Sequence, residues 1–219
     1  MLALAALLLV GGAGGCATVT IAPSDSRLSG QWQLDPAASD DTSAKVSKLI
    51  AAAQEKERKR RESSGYGTVA SMPSGPGRGG GSRNGGQSQN QAQEPSDDFG
   101  AMLGPDFGEL RSRLMLVLQV PPSLRIEVED EEVSVAPGDA PPRDYHTGEQ
   151  FSRIDEYGTG KINTSWSGKA FILEVRYSNR GTLRQQYLVN PQSDTLVLTR
   201  TLTDAMVGKV QLRSVYRRS

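Results

Sequence analysis

The chain has one cysteine and one histidine in 219 residues. A lone cysteine excludes an intrachain disulfide framework. With one of each, the usual structural zinc sites, built from four Cys and His ligands, are excluded too. A Ser-His-Asp triad would have to use His146, and DYHTG around it holds no nucleophile-elbow pattern. An excess of one charge is also lacking: 25 basic residues balance 25 acidic ones. That argues against a general nucleic-acid binder, whose footprint is basic. Aromatic residues are scarce at 5%. A long apolar run is missing as well. Residues 2–10 are nine consecutive apolar residues, whereas a membrane-spanning helix takes about 20.

A run of that length followed by small residues fits a secretory signal peptide over residues 1–15. No Lys or Arg precedes it, which points to a start upstream or to an atypical signal. Ala13, Gly14 and Gly15 lead into Cys16, and this stretch resembles a bacterial lipobox. The resemblance implies cleavage before Cys16 and acylation of its thiol and new N-terminus, making the membrane a partner. Several acyl chains hold a domain firmly where one holds it only marginally. Ala17 stands where an inner-membrane lipoprotein carries aspartate, so the resemblance implies the outer membrane, facing the periplasm. The alternative is an ordinary signal peptide cut elsewhere, with Cys16 incidental.

Residues 16–28 read as a tether. In SGQWQLDP, Trp32 and Leu34 share one face of a strand that Pro36 ends. Ser39, Asp40 and Asp41 are helix N-cap residues. The helix predicted from them runs from Thr42 to Glu62, with Val46, Leu49, Ile50 and Ala53 on one apolar stripe. It closes the segment 29–62. Residues 63–98 are rich in Gly, Ser, Gln and Asn, with too few apolar side chains to offset ordering entropy, and read as a disordered insert. A short helix is expected over Phe107–Leu118. From Ser123 the period changes to two, with apolar faces such as Leu124-Ile126-Val128, Phe171-Leu173-Val175-Tyr177 and Leu196-Leu198-Leu202. Asp130-Glu131, Ser167-Gly168, Asn179-Arg180-Gly181 and the stretch 190–193 read as hairpin turns. The expectation is an α+β chain, mainly β. Residues 99–219 form one domain with 29–62. Its antiparallel meander of about eight strands makes a small barrel or half-barrel.

Gly30-Gln31-Trp32 resembles the G-x-W signature that opens lipocalin barrels. That resemblance implies a tryptophan packed across the barrel bottom beneath a basic residue from the last strands, here Arg217 or Arg218. Such a contact contributes about 0.5–2 kcal/mol. The G-x-W-x-L-D opening, the S-D-D that follows, the basic helix and the meander also resemble a class of bacterial envelope lipoproteins. Trp32 as a plain core residue is the competing reading.

Other motifs carry less. Residues 75–80 match G-x-G-x-x-G but follow no strand and open no helix. DFG occurs at 98–100 and 106–108 without other kinase features. GRGGGSR resembles RNA-binding Arg-Gly segments, but a flexible linker suits an exported chain better. The pairs Glu131-Glu132 and Asp155-Glu156 read as turn residues. Lys56, Arg58, Lys59, Arg60 and Arg61 form a basic helix end. It either contacts an anionic envelope surface or is a solvated end neutralised by Glu55, Glu57 and Glu62. No catalytic residue, metal site or cofactor is assigned. The chain reads as a non-catalytic binding module of the cell envelope, taking an apolar small molecule in its barrel or an anionic envelope component on its surface. A scaffold, or a hydrolase of envelope polymers, is the alternative.

Overall fold

The structure, a computed structural model, describes residues 21–24, 26–63, 105–155, 157–178 and 181–219. The expected signal peptide and Cys16 lie outside the described residues. So do 64–98 of the expected insert, the motifs at 75–80 and 98–100, and Glu156, Asn179 and Arg180 of the expected turns.

Strand β1 (Gly30–Leu34) is followed by a short 3-10 turn over Pro36–Ala38 and by helix α1 (Thr42–Ser63). Asp41 accepts the amide of Ala44 and so opens α1 as its N-cap. Helix α2 (Phe107–Val117) is opened by Asp106, whose carboxylate accepts from the amides of Gly108 and Glu109. Val46, Ile50 and Ala53 of α1 and Leu110 and Leu114 of α2 are buried. Those positions are the predicted apolar stripes, and the helices pack together along them with Leu118.

Nine further strands follow: β2 (Ser123–Glu129), β3 (Glu132–Pro137), β4 (Arg143–His146), β5 (Gln150–Asp155), β6 (Gly158–Ser167), β7 (Ala170–Tyr177), β8 (Gly181–Asn190), β9 (Thr195–Asp204) and β10 (Gly208–Arg218). All pair antiparallel in one ten-stranded sheet, in the order β4-β3-β2-β1-β10-β9-β8-β7-β6-β5. The predicted α+β meander is therefore present as a curled half-barrel. It has two strands more than the expected eight. The predicted apolar faces point inward: Leu124, Ile126, Val133, Ile162, Trp166, Phe171, Leu173, Leu183, Leu198, Leu212 and Tyr216 are all buried in one core. Strands β4 and β5 are consecutive in the chain yet form the two edges of the sheet.

The expected tether is partly attached. The amide of Ala22 donates to the Asp130 carbonyl, and Ser26 and Leu28 are buried. An apolar residue such as Leu28 is drawn into the core beside Trp32, whose indole N–H donates to the Leu28 carbonyl at 3.0 Å.

The L-D-P and S-D-D motifs have a defined role. β1 pairs with β10 only over Trp32↔Arg218, Gln33↔Arg217 and Leu34↔Tyr216. Beyond Leu34 the Asp35 amide still donates to the Val215 carbonyl, at 2.8 Å, before the chain turns away from this edge of β10. Ser39 Oγ accepts from the Val215 amide at 2.9 Å, and an Asp40 oxygen accepts from the Arg213 amide at 2.7 Å. The Asp40 amide donates to the Arg213 carbonyl in return. The side chains of Ser39 and Asp40 and the amides of Asp35 and Asp40 thus continue the ladder past the end of β1, which answers the demand that backbone groups be paired.

Candidate functional site

The register runs from the end of β1 at Leu34, through the start of β2 at Ser123, to the turn after β3. This end of the half-barrel carries the two helices. Beneath them lies a cavity of about 420 Å³, open to solvent. Its walls include Leu116 and Val117 of α2, Leu124, Val135, Leu173, Leu183 and Leu198. Gln119, Arg143, Arg153, Asp155, Gln185, Tyr187 and Arg200 share the lining, so the cavity is a concave site of a few hundred Å³ with apolar walls and many polar groups, and its size suits a small molecule.

The polar groups converge on β8, β9 and β10. Arg200 of β9 sits between Leu198 and Leu202 on the inner face and is only 4% exposed. Its ladder neighbours are Gln185 on β8 and Leu212 on β10. One terminal nitrogen donates to the Gln119 carbonyl. Its Nε and Nη2 are buried and make no well-formed hydrogen bond among the described residues, although the Tyr216 hydroxyl lies close to the guanidinium. Burial pulls its pKa down, against the nearby phenols of Tyr187 and Tyr216. The same burial pushes the Tyr187 phenol up, and that of Tyr216 up to about 12, so both stay neutral O–H groups. Tyr187 donates to Gln185 at 2.9 Å and Tyr216 to the Pro121 carbonyl at 3.1 Å.

The one carboxylate on the cavity wall is committed elsewhere. Asp155 accepts from the amides of Tyr157 and Gly158 and from the Tyr177 hydroxyl, and Arg153 lies 3.3 Å away. Arg200 therefore meets no counter-charge: no ion pair to it is found among the described residues. An isolated buried cation costs several kcal/mol.

The other pole is sealed. Trp32 is fully buried. The guanidinium of Arg218 lies 4.2 Å from its ring centroid, donates to the carbonyls of Ser29 and Arg27, and pairs with Asp194. Of the two predicted candidates, Arg218 covers the indole, while Arg217 pairs with Asp35 at 2.7 Å. Gly30 leaves room: a β-carbon there would stand 2.3 Å from Arg218 Nη1.

The remaining sequence candidates do not join the cavity. His146 is half exposed on edge strand β4, 3.4 Å from Glu132. The basic end of α1 carries no buried residue after Ala53. There Arg58 pairs with Glu55 and Glu62, Lys59 with Glu55, and Arg60 and Arg61 with Glu57. Lys56 makes no ion pair among the described residues. These bridges are solvent-exposed and contribute little each. Among the described residues, no group of three or more His, Cys, Asp or Glu could hold a metal ion, and no helix is long and apolar enough to cross a membrane. Sequence reasoning missed Arg200. Its signal is a cation at an inward position, flanked by Leu198 and Leu202 in a period-two stretch.

No family profile matches the chain, and no curated protein matches it in sequence. Among solved structures, it is similar to a fatty acid-binding protein from Drosophila melanogaster brain (16% identity, TM-score 0.38, 57% of this chain and 90% of that one). It is also similar to a secretory abundant heat soluble protein of Ramazzottius varieornatus (18%, TM-score 0.35, 44% and 70%). A third is a luciferase domain of Lingulodinium polyedrum (12%, TM-score 0.47, 94% and 46%). At these values the likeness is one of general architecture.

Proposed function

We propose that the half-barrel is a non-catalytic binding module for an apolar small molecule with an anionic head, held by Arg200. One observation carries this reading: a buried guanidinium without a counter-charge, close to the Tyr216 hydroxyl, on the wall of a cavity that mixes leucine and valine surfaces with polar groups. A carboxylate would supply acceptors matched to the guanidinium fork and neutralise the charge. The leucine and valine walls would take an aliphatic or alicyclic body. The test is a fluorescence titration with a dansylated long-chain carboxylate and its methyl ester. Wild type should bind the acid saturably and the ester at least about tenfold more weakly, since a hydrogen bond to a charged group contributes about 1.5–3 kcal/mol. Equal binding of both, or of neither, would sink the reading.

In this proposal the module works at the bacterial outer membrane, anchored through acylated Cys16. The lipobox-like residues ahead of Cys16 support this part, and intact mass of the protein taken from membranes tests it. Absence of a lipid mass increment, with Cys16→Ser fractionating like wild type, would refute the anchor. The projecting basic end of α1 favours an anionic envelope component as a second contact, since five cations there face three carboxylates.

A further inference from the structure

We propose that ligands reach the cavity sideways, through a slot between β4 and β5, and that Arg143 is the outer contact for the anionic head. This rests on the cavity reading above.

The slot follows from topology. β4 and β5 are joined by only three residues, yet no ladder pairs them. At the connection the two edges are stitched together. The amide and hydroxyl of Thr147 donate to the Glu131 carbonyl, Gly148 donates to the Thr164 carbonyl, and Thr164 Oγ1 donates to the His146 carbonyl. Just beyond, the rings of Tyr145 and Phe151 stack across the seam with centroids 5.8 Å apart. Toward Arg143 on one strand and Asp155 on the other, no hydrogen bond joins the edges among the described residues. The seam is a V, closed at Thr147 and open at the helix-bearing end.

A cleft of about 370 Å³ occupies the open part. Arg143, Tyr145, Arg153 and Asp155 line both this cleft and the inner cavity. The two spaces are therefore adjacent, with these four side chains between them. The remaining strand walls are paired ladders, and the far pole is plugged by Trp32 and Arg218.

Charge along the slot is graded. Arg153 is answered by Asp155. Arg143 is exposed and makes no ion pair among the described residues. Ile154, 82% exposed on the lip, offers an apolar landing for the body of an amphiphile. An anionic head would meet Arg143 first and Arg200 last. A cation at the mouth raises the association rate, whereas the buried contact sets how long the ligand stays.

Stopped-flow fluorescence with the dansylated carboxylate and its methyl ester separates these roles. Ser152 lines the cleft from an exposed position, so Ser152→Trp should narrow the slot without disturbing the core. The expected result is slower association and slower dissociation by the same factor, with Kd unchanged. Asp144→Trp, on the facing strand, should do the same. Arg143→Ala should slow association of the acid by at least about threefold at low salt and leave the ester unchanged. Wild-type rate constants in both tryptophan variants would overturn the route. Equal slowing of acid and ester in Arg143→Ala would overturn the anion contact. If wild type binds neither probe, the cavity reading fails and this inference falls with it.

Discussion

Arg218 lies over the indole of Trp32, 4.2 Å from the ring centroid, in the space that Gly30 leaves by having no side chain. Gly30 also has φ of +150°, a backbone conformation that other residues adopt only under strain. Gly30→Ala should therefore displace Arg218 and destabilise the fold by about 1–3 kcal/mol. Arg218→Met should cost less, about 0.5–2 kcal/mol from the lost cation–π contact. Urea denaturation of the two variants checks the order, and a Gly30→Ala protein as stable as wild type would refute the steric account.

Arg200 is costly to the fold. Arg200→Met replaces a buried, unanswered cation with a flexible apolar chain. Stability should rise by about 1–3 kcal/mol, as when buried charges are replaced by well-packed hydrophobes. Binding of the carboxylate probe should fall at least about tenfold in the same protein. A loss of stability instead would mark Arg200 as a structural brace of the Gln119 carbonyl.

The Asp40 carboxyl is held below its ordinary value of 3.8, chiefly by the hydrogen bond from Lys45, against the effect of its partial burial. A carboxylate with a lowered folded pKa contributes stability that is present above its unfolded pKa and lost as pH falls through the folded one. Asp40→Asn should thus be less stable than wild type at neutral pH, with the gap shrinking as pH drops below about 4. Chemical denaturation at several pH values measures this. A gap constant with pH would show that the ionised form is not what matters.

Two turns at the helix-bearing end are tied by buried side chains. The Tyr157 hydroxyl donates to Asp204, whose other oxygen accepts the amides of Met206 and Val207. Tyr157 also packs edge-on against Tyr177, 4.9 Å between centroids. Tyr157→Phe keeps the packing and leaves a buried carboxylate oxygen short of a donor. The expected cost is about 1–3 kcal/mol. A thermal or urea melt unchanged from wild type would show that water replaces the hydroxyl without loss.

Where apolar residues alternate, the sequence alone places the strands. The stretch 123–129 and the stretch 170–177 send every second residue inward because that is what a half-buried sheet requires. β5 escaped notice for a related physical reason. Its inward positions are Phe151, Arg153 and Asp155, while Ile154 faces solvent. Arg200 was hidden the same way. The lining of a binding cavity needs polar groups on the inner face, and these break the apolar alternation by which strands are found. The Ser39 and Asp40 contacts were half legible: both residues stand out as helix N-caps, but only the short β1 explains why they bond to β10 while Asp41 caps the helix. The slot between β4 and β5 depends on which strands pair, and local periodicity does not contain that.

The three-pair junction of β1 and β10 has a consequence for how the protein is made. β5 to β10 are successive hairpins with short connections, and β1 to β4 form the other part of the sheet. The only strand ladder that joins the two parts runs where Trp32, Gln33 and Leu34 find Arg218, Arg217 and Tyr216. A nascent chain emerging from the ribosome must therefore hold its first strand, with a free edge, until its tenth has been synthesised. Contacts of such sequence separation form slowly. During that interval the exposed edge and Trp32 are open to a chaperone or to a second nascent copy.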